Sequence, residues 1–338
     1  MKAALRQTTE AEAPHVASLL ATAFRNEPDA APVTDDALRW KNWAPHPLLP
    51  PSRGYVLEKN DEWQAHLSLW PFPLEWLTGR AGLGVHAIDW AGSPSAPGAG
   101  VTLMRRVTAL ADVLIAVGGS PDTRKVLPLA GFREVGAVDF FALPLRTVRH
   151  VLRHPRRNWK LPARLLRNLA IRGRARGRGA RGWSAAPVPS GAPGPMRDAA
   201  WLEYLRACPE ADVRLFAAVG PDGRAGGFLL SETRRQVRVA AAWFEGARRQ
   251  SAEDFSALYR LCARHALAFA DADELVAAAS LPERADGLRA AGFRWIQRLP
   301  IMVYRAAAAP GACEEPWDYQ MAMSDAFYLH GQSVDYWL

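Results

Sequence analysis

The chain has 338 residues, 49% of them hydrophobic, with 42 Lys and Arg against 34 Asp and Glu, a net charge of +8. That apolar fraction excludes a disordered chain, and the length allows two domains that each bury a full core. The charge is uneven: residues 1–139 hold 13 basic and 15 acidic side chains, residues 140–197 hold 14 basic and none acidic, and residues 198–338 hold 15 and 19.

Two mildly acidic bodies are therefore expected, at 1–145 and 195–338, with a basic linker at 146–194. The three cysteines, Cys208, Cys262 and Cys313, make neither a disulfide framework nor a metal-ligand spacing, and no metal is expected. Residues Met1–Gln7 turn polar at once, without a signal-peptide core. No apolar run reaches the ~18–20 residues that span a bilayer. A reduced, cytoplasmic setting is the expectation.

In chain order, Thr9-x-x-Glu12 is a capping box that opens a helix through Val16, Leu19, Leu20 and Phe24. Extended segments follow at Gly54–Glu58 and Trp63–Trp70, joined by the turn Lys59-Asn60-Asp61-Glu62. A strand at Gly84–Trp90 runs into a Gly/Pro/Ser loop and a helix from about Val101 to Asp112. The second half repeats the theme with strands at Leu215–Val219, Gly227–Ser231 and Gln236–Phe244 and a helix at Ser251–Phe269. Ser251-x-x-Asp254 caps that helix. Antiparallel strands first and a β-α-β unit last make each half α+β, a mixed, mostly antiparallel sheet flanked by helices.

An internal repeat supports the division. Leu114–Arg133 and Leu275–Arg294 align without a gap at an offset of 161 residues, sharing Leu114/Leu275, Ala116/Ala277, Pro121/Pro282, Leu127/Leu288 and the tetrad Ala-Gly-Phe-Arg. Each copy reads as a buried strand, a turn holding Pro, a short helix, and Gly-Phe before another strand. Those last strands are Phe140–Leu145 and Pro300–Tyr304.

The stretch richest in chemistry is His86-Ala87-Ile88-Asp89-Trp90-Ala91-Gly92-Ser93-Pro94-Ser95-Ala96-Pro97-Gly98-Ala99-Gly100-Val101. A buried strand enters a loop whose last turn is Gly-x-Gly, and a helix starts there. Amides at a helix start lack partners and sit at the positive end of the dipole, and glycine lets a phosphate approach them. The spacing is neither that of a Walker loop nor the G-x-G-x-x-G of dinucleotide folds.

This arrangement resembles the GNAT-type (Gcn5-related) N-acyltransferase family. Ser95-Ala96-Pro97-Gly98-Ala99-Gly100 is similar to its [Gln/Arg]-x-x-Gly-x-[Gly/Ala] acyl-CoA loop, with Ser95 in place of Gln or Arg. Leu127–Phe132 is similar to its helix ending in Gly-Phe. The resemblance covers both halves, as a tandem pair of GNAT units. The second half has no Gly-x-Gly in Phe244–Ser251, so acyl-CoA is expected in the first half alone.

The resemblance implies transfer of an acetyl or other acyl group from a CoA thioester to an amine. The amides of Gly98, Ala99, Gly100 and Val101 would hold the pyrophosphate, and the strand ending at Ile88–Trp90 the pantetheine arm, with a strand amide polarising the thioester carbonyl. Ser120 falls where the family often has an Asn near the pantetheine. A base must take the amine proton. The candidates are His86 and Asp89, on opposite faces of the strand, and His86 has the better intrinsic pKa. Where relatives have a Tyr to protonate the thiolate, this chain has Leu127. Water or another side chain, such as Tyr55, would do that work, or the mechanism does without a dedicated acid.

Six tryptophans occupy the first half: Trp40, Trp43, Trp63, Trp70, Trp76 and Trp90. Trp40 and Trp43 lie where the fold builds its acceptor wall, which would suit a saccharide, with core packing as the alternative. Leu161, Leu165, Leu166 and Leu169 form one helix face among arginines, the pattern of a membrane-surface helix. The Arg/Gly tract at 172–182 matches nucleic-acid-binding low complexity, or a solvated linker. A Fem-like aminoacyl-tRNA transferase is the enzymatic alternative. A non-catalytic scaffold that binds a membrane surface or polyanion through the basic residues 156–182 is the other.

Overall fold

A computed structural model describes residues 3–24, 34–79, 81–111, 113–119, 121–146, 148–149, 162, 165–166, 169–170, 182–190, 199–233, 236–246, 250–305 and 317–327. The architecture is α+β in two compact units. Unit 1 comprises residues 1–137 with 299–317 and 323–325, and unit 2 comprises 138–298 with 318–322 and 326–338.

Unit 1 starts with β1 (Ala4–Gln7), a 3-10 turn at Glu10–Glu12 and α1 (Ala13–Ala23). The Thr9–Glu12 capping box forms, with the Thr9 N–H donating to the Glu12 carboxylate at 2.8 Å. After it come α2 (Asp35–Asn42), β2 (Gly54–Lys59), β3 (Glu62–Pro73), α3 (Glu75–Thr78) and β4 (Leu83–Gly92). Next are α4 (Ala99–Val107), β5 (Val113–Val117) and α5 (Pro121–Val126), followed in the chain by β6 (Arg133–Pro144), most of which belongs to unit 2. The α4 helix starts two residues before the expected Val101 and passes into a 3-10 turn at Thr108–Leu110.

Unit 2 holds β7 (Ser184–Pro187), α6 (Ala199–Arg206), β8 (Asp212–Val219), β9 (Ala225–Thr233) and β10 (Gln236–Phe244). It continues with α7 (Ala252–Ala266), β11 (Glu274–Ala279) and α8 (Pro282–Ala290), followed in the chain by β12 (Arg294–Arg305), most of which belongs to unit 1. Ser251 caps α7 as its sequence indicates: its hydroxyl accepts from the Asp254 N–H at 3.2 Å, and its own N–H donates to the Asp254 carboxylate at 3.0 Å.

The compact units do not follow a linear division at residue 145. In unit 1 the strand order is β1-β2-β3-β4-β5-β12, and in unit 2 it is β6-β11-β10-β9-β8-β7. The β5 strand pairs antiparallel with β12, from Val117↔Ile301 to Val113↔Arg305. The β11 strand pairs antiparallel with β6, from Glu274↔Pro144 to Ala279↔Asp139. Each sheet is thus closed by the strand that chain order assigns to the other half. The two repeats fold into the same series of elements, and each Gly-Phe glycine is left-handed, with φ of +93° at Gly131 and +96° at Gly292.

In unit 1 one sheet face packs Leu57, Leu67, Leu69 and Val85 against Leu103, Met104 and Val107 of α4 and against Leu127. The other packs Val56, Trp63 and Ala91 against Val16 and Leu20 of α1 and Leu38 of α2. Hydrophobic burial on both faces holds the helices in place. The amphipathic helix and Arg/Gly tract expected over 156–182 lie outside the described residues, apart from helical Pro162, Leu165, Leu166, Leu169 and Ala170 and the turn at Gly182. Among the described residues no helix is long and apolar enough to cross a membrane.

Candidate active site

Strands β4 and β5 run parallel for three residue pairs, Gly84↔Val113, Val85↔Leu114 and His86↔Ile115, and then separate. Past His86, no strand among the described residues pairs with the edge of β4 facing away from β3. A bulge follows. Ser68 pairs with Ile88 and His66 with Ala91, so Asp89 and Trp90 together face Leu67. Asp89 has φ of +50°, a left-handed conformation unusual for any residue but glycine.

The loop after β4 ends at the α4 N-terminus. Gly98 is its N-cap, with φ of +82°, a conformation that costs glycine little. Ser93 and Ser95 bond through their hydroxyls at 2.7 Å, and the Ala96 N–H returns to the Ser93 carbonyl at 3.0 Å. The Ala99 N–H is used inside the loop, on the Ala96 carbonyl at 3.1 Å. That corrects its expected place among the phosphate-binding amides. The N–H groups of Gly98, Gly100 and Val101 make no hydrogen bond with a described residue. The Trp90 indole N–H donates to the Gly100 carbonyl at 3.0 Å and ties the helix start to the bulge. Ser95 and Pro97 are exposed in the same loop, and Ile88 is buried. Ser120 lies outside the described residues.

His86 does not stand as a free base. It is 5% exposed, its Nε2 accepts the Val117 N–H at 3.2 Å, and its Nδ1 lies 3.3 Å from the Met323 carbonyl. Both nitrogens are engaged where β4 and β5 part, so the ring braces the split. The sequence places a histidine there without showing that two backbone groups consume it. Asp89 is equally committed: its carboxylate forms an ion pair with Lys41 of α2, the two side chains 8% and 1% exposed.

Sequence reasoning named Trp40 but passed over the helix α2 that carries it. Its signal was the N-cap Thr34 before Asp35 and Asp36, with Arg39 and Lys41 in the last turn. The Arg53 guanidinium, fully buried, closes the helix by donating to the carbonyls of Lys41 at 2.8 Å, Trp40 at 3.1 Å and Ala44 at 3.0 Å. Beside it, Asn42, His66 and Ser68 are buried. Both amide atoms of Asn42, Nε2 of His66 and the Ser68 hydroxyl have no hydrogen-bond partner among the described residues. They gather around Gly54, where an added Cβ would lie 3.4 Å from both Asn42 Oδ1 and His66 Nε2. The His66 Nδ1 is 3.4 Å from the Asp89 carbonyl, which leaves Nε2 as the lone-pair nitrogen.

Burial holds both His66 and His86 in the neutral form, lowering each pKa to about 4. The unfolded chain, near 6.5, then binds more protons than the folded one between these values. Stability is complete above pH 6.5 and falls as the pH drops toward 4, by up to about 1.4 kcal/mol per pH unit for each histidine. Denaturant unfolding at pH 7.0 and 5.0 should give this decline, smaller in a His86→Gln protein. Equal stability at the two values would contradict it.

The tryptophans serve the core. Trp40, Trp63 and Trp70 are buried, and Trp40 meets Trp70 edge to face with centroids 5.3 Å apart. Trp43 is half-buried with its indole N–H on the Thr8 carbonyl at 3.1 Å. Leu127 is fully buried, and the Tyr55 hydroxyl lies 3.3 Å from Gln7 Nε2. Among the described residues no group of three or more His, Cys, Asp or Glu could hold a metal ion.

In unit 2, β10 and β11 also separate after three parallel pairs, the last being Arg238↔Val276. There the chain's own C-terminal segment lies on the opened strand. The Ala242 N–H donates to the buried Gln320 side chain at 2.7 Å, and Arg238 donates to the Ala326 carbonyl. Tyr319 N–H donates to Ser280 at 2.7 Å, and Asp318 pairs with Arg284 at 2.6 Å.

No family model and no curated protein sequence matches the chain. Solved structures do. A tandem GNAT protein from the clavulanic acid biosynthesis pathway aligns at TM-score 0.58 and 14% identity, over 91% of this chain and 100% of that one. Saccharomyces cerevisiae N-myristoyltransferase with bound myristoyl-CoA aligns at 0.55 and 13%, over 91% and 81%. A GCN5-related N-acetyltransferase from Anabaena variabilis aligns at 0.53 and 10%, over 89% and 72%. The fold of this chain is the GNAT fold, built in two units.

Proposed function

We propose that this GNAT-fold chain is an acyl-CoA-dependent N-acyltransferase with its acyl-CoA site in unit 1. The observation that carries the reading is the set of unbonded amides at Gly98, Gly100 and Val101, directly after a strand that leaves its neighbour at His86. Three N–H groups at the positive end of α4 suit a pyrophosphate. The open edge of β4 through Ile88 and Trp90 suits the amides of a pantetheine arm, and a bulge amide near Asp89 or Trp90 suits the thioester oxygen. Acetyl-CoA is the first donor to test. The structure of N-myristoyltransferase with its longer acyl-CoA makes other chain lengths worth including.

For the acceptor we propose a small polar amine that enters from the α2 side, where the Asn42 amide and the Ser68 hydroxyl have no hydrogen-bond partner among the described residues. Buried Trp40 and Trp70 leave no ring face for a sugar there, so an amino sugar would be held by hydrogen bonds instead. In unit 2 the Ala242 amide is already bonded to Gln320, which favours a non-binding partner unit. The test is release of free CoA from acetyl-CoA and longer acyl-CoAs over a panel of primary amines that includes amino sugars and polyamines. Amine-dependent thiol release is expected. No release, together with no thermal stabilisation by any acyl-CoA, would overturn the proposal.

A further inference from the structure

Asp89 is a left-handed residue in the middle of a strand, and three features hold it there. Its carboxylate pairs with Lys41, its carbonyl faces His66 Nδ1 at 3.4 Å, and its side chain is 8% exposed. Lys41 is itself fixed, because α2 ends on the Arg53 guanidinium through the carbonyls of Trp40, Lys41 and Ala44. A strained backbone residue persists where its surroundings over-determine it. Strand β10 of unit 2 makes the contrast. It too has a single extra residue, Ala240, between Val239 and Ala241, and Val239-Ala240-Ala241-Ala242 carries no ionisable group. Unit 1 therefore invests a buried ion pair and a histidine in a bulge that unit 2 forms with alanines.

We propose that Lys41 and His66 are positioning residues for acyl transfer, acting through Asp89 to hold the β4 bulge in the orientation that turns its amide toward the thioester carbonyl. Neither touches the reacting atoms. The inference rests on the acyltransferase reading, and it concerns the acyl carbonyl, because the pyrophosphate of CoA is assigned to the amides of Gly98, Gly100 and Val101. Releasing the bulge would then change CoA affinity little and remove the extra interaction that the acyl carbonyl makes.

The test compares the full-length protein with Lys41→Met/Asp89→Asn, which removes both charges and keeps a residue tolerant of the left-handed region. His66→Leu and His66→Asn are the second pair, the Asn placing a donor nitrogen near the position of Nδ1. The readouts are affinities for CoA and acetyl-CoA and the infrared carbonyl stretch of bound 1-13C-acetyl-CoA. In the wild type the stretch should lie below its solution value. In the double variant and in His66→Leu it should return toward that value, with CoA affinity within twofold of wild type and acyl-transfer kcat at least tenfold lower. His66→Asn should restore the shift. Either folded variant, the double or His66→Leu, retaining the wild-type carbonyl shift would overturn the proposal. If the double variant does not fold, the His66 pair decides. Absence of CoA binding by the wild type would instead sink the acyltransferase reading itself.

Discussion

Gly98→Glu is expected to abolish the thermal stabilisation that acetyl-CoA gives the wild-type chain. Gly98 has φ of +82°, and an added Cβ there meets nothing within 4 Å, so the side chain has room. The cost to the fold is confined to the left-handed backbone, about 1 kcal/mol. The charge has the larger consequence. A carboxylate beside the N–H groups of Gly98, Gly100 and Val101 would compete for them and repel a pyrophosphate. A loss on the order of 100-fold in affinity, about 2.7 kcal/mol, is the expected scale. Gly98→Ala pays the backbone strain without the charge and should lose roughly tenfold or less. Equal losses in the two variants would mean that backbone geometry, rather than an anion site, is what matters. Aminoacyl-tRNA binding that survives Gly98→Glu would favour the aminoacyl-tRNA transferase reading.

Arg53→Met should be the most destabilising single change in unit 1. The guanidinium is fully buried and makes three hydrogen bonds to carbonyls at the end of α2. Methionine fills much of the volume but leaves those carbonyls unpaired, and a cation that complements the helix C-terminus is lost. Three charge-assisted bonds to buried acceptors set the loss at about 3 kcal/mol or more. Arg53→Lys keeps the charge without the planar fork and should fall between the two. Urea unfolding measures this directly. A change below about 0.5 kcal/mol in Arg53→Met would show that the carbonyls find other partners.

Much of the fold was legible because its signals are local. The capping residues Thr9 and Ser251, the turn at Asn60 and Asp61 between β2 and β3, and the Gly-Phe turns each act within a few residues of sequence. The closing strands were not legible. Repeats that end alike, Ala130–Arg133 and Ala291–Arg294, feed β6 and β12, and nothing in either stretch says which sheet it completes. The acyl-CoA loop was readable from Gly98 and Gly100, whose value lies in backbone conformation. The use of Ala99 N–H by the Ala96 carbonyl depends on a turn that composition does not fix. His86 misled because an isolated histidine carries no mark of its partners, and those partners, Val117 and Met323, are far away in sequence. Lys41, Arg53 and His66 stayed hidden for the same reason: each looks like an ordinary polar residue until the fold buries it.

The most direct measurement is a calorimetric titration of the full-length chain with acetyl-CoA. One molecule should bind per chain, in unit 1, with binding lost in Gly98→Glu. Two molecules per chain, or none with any acyl-CoA, would contradict a single site at the β4–α4 loop.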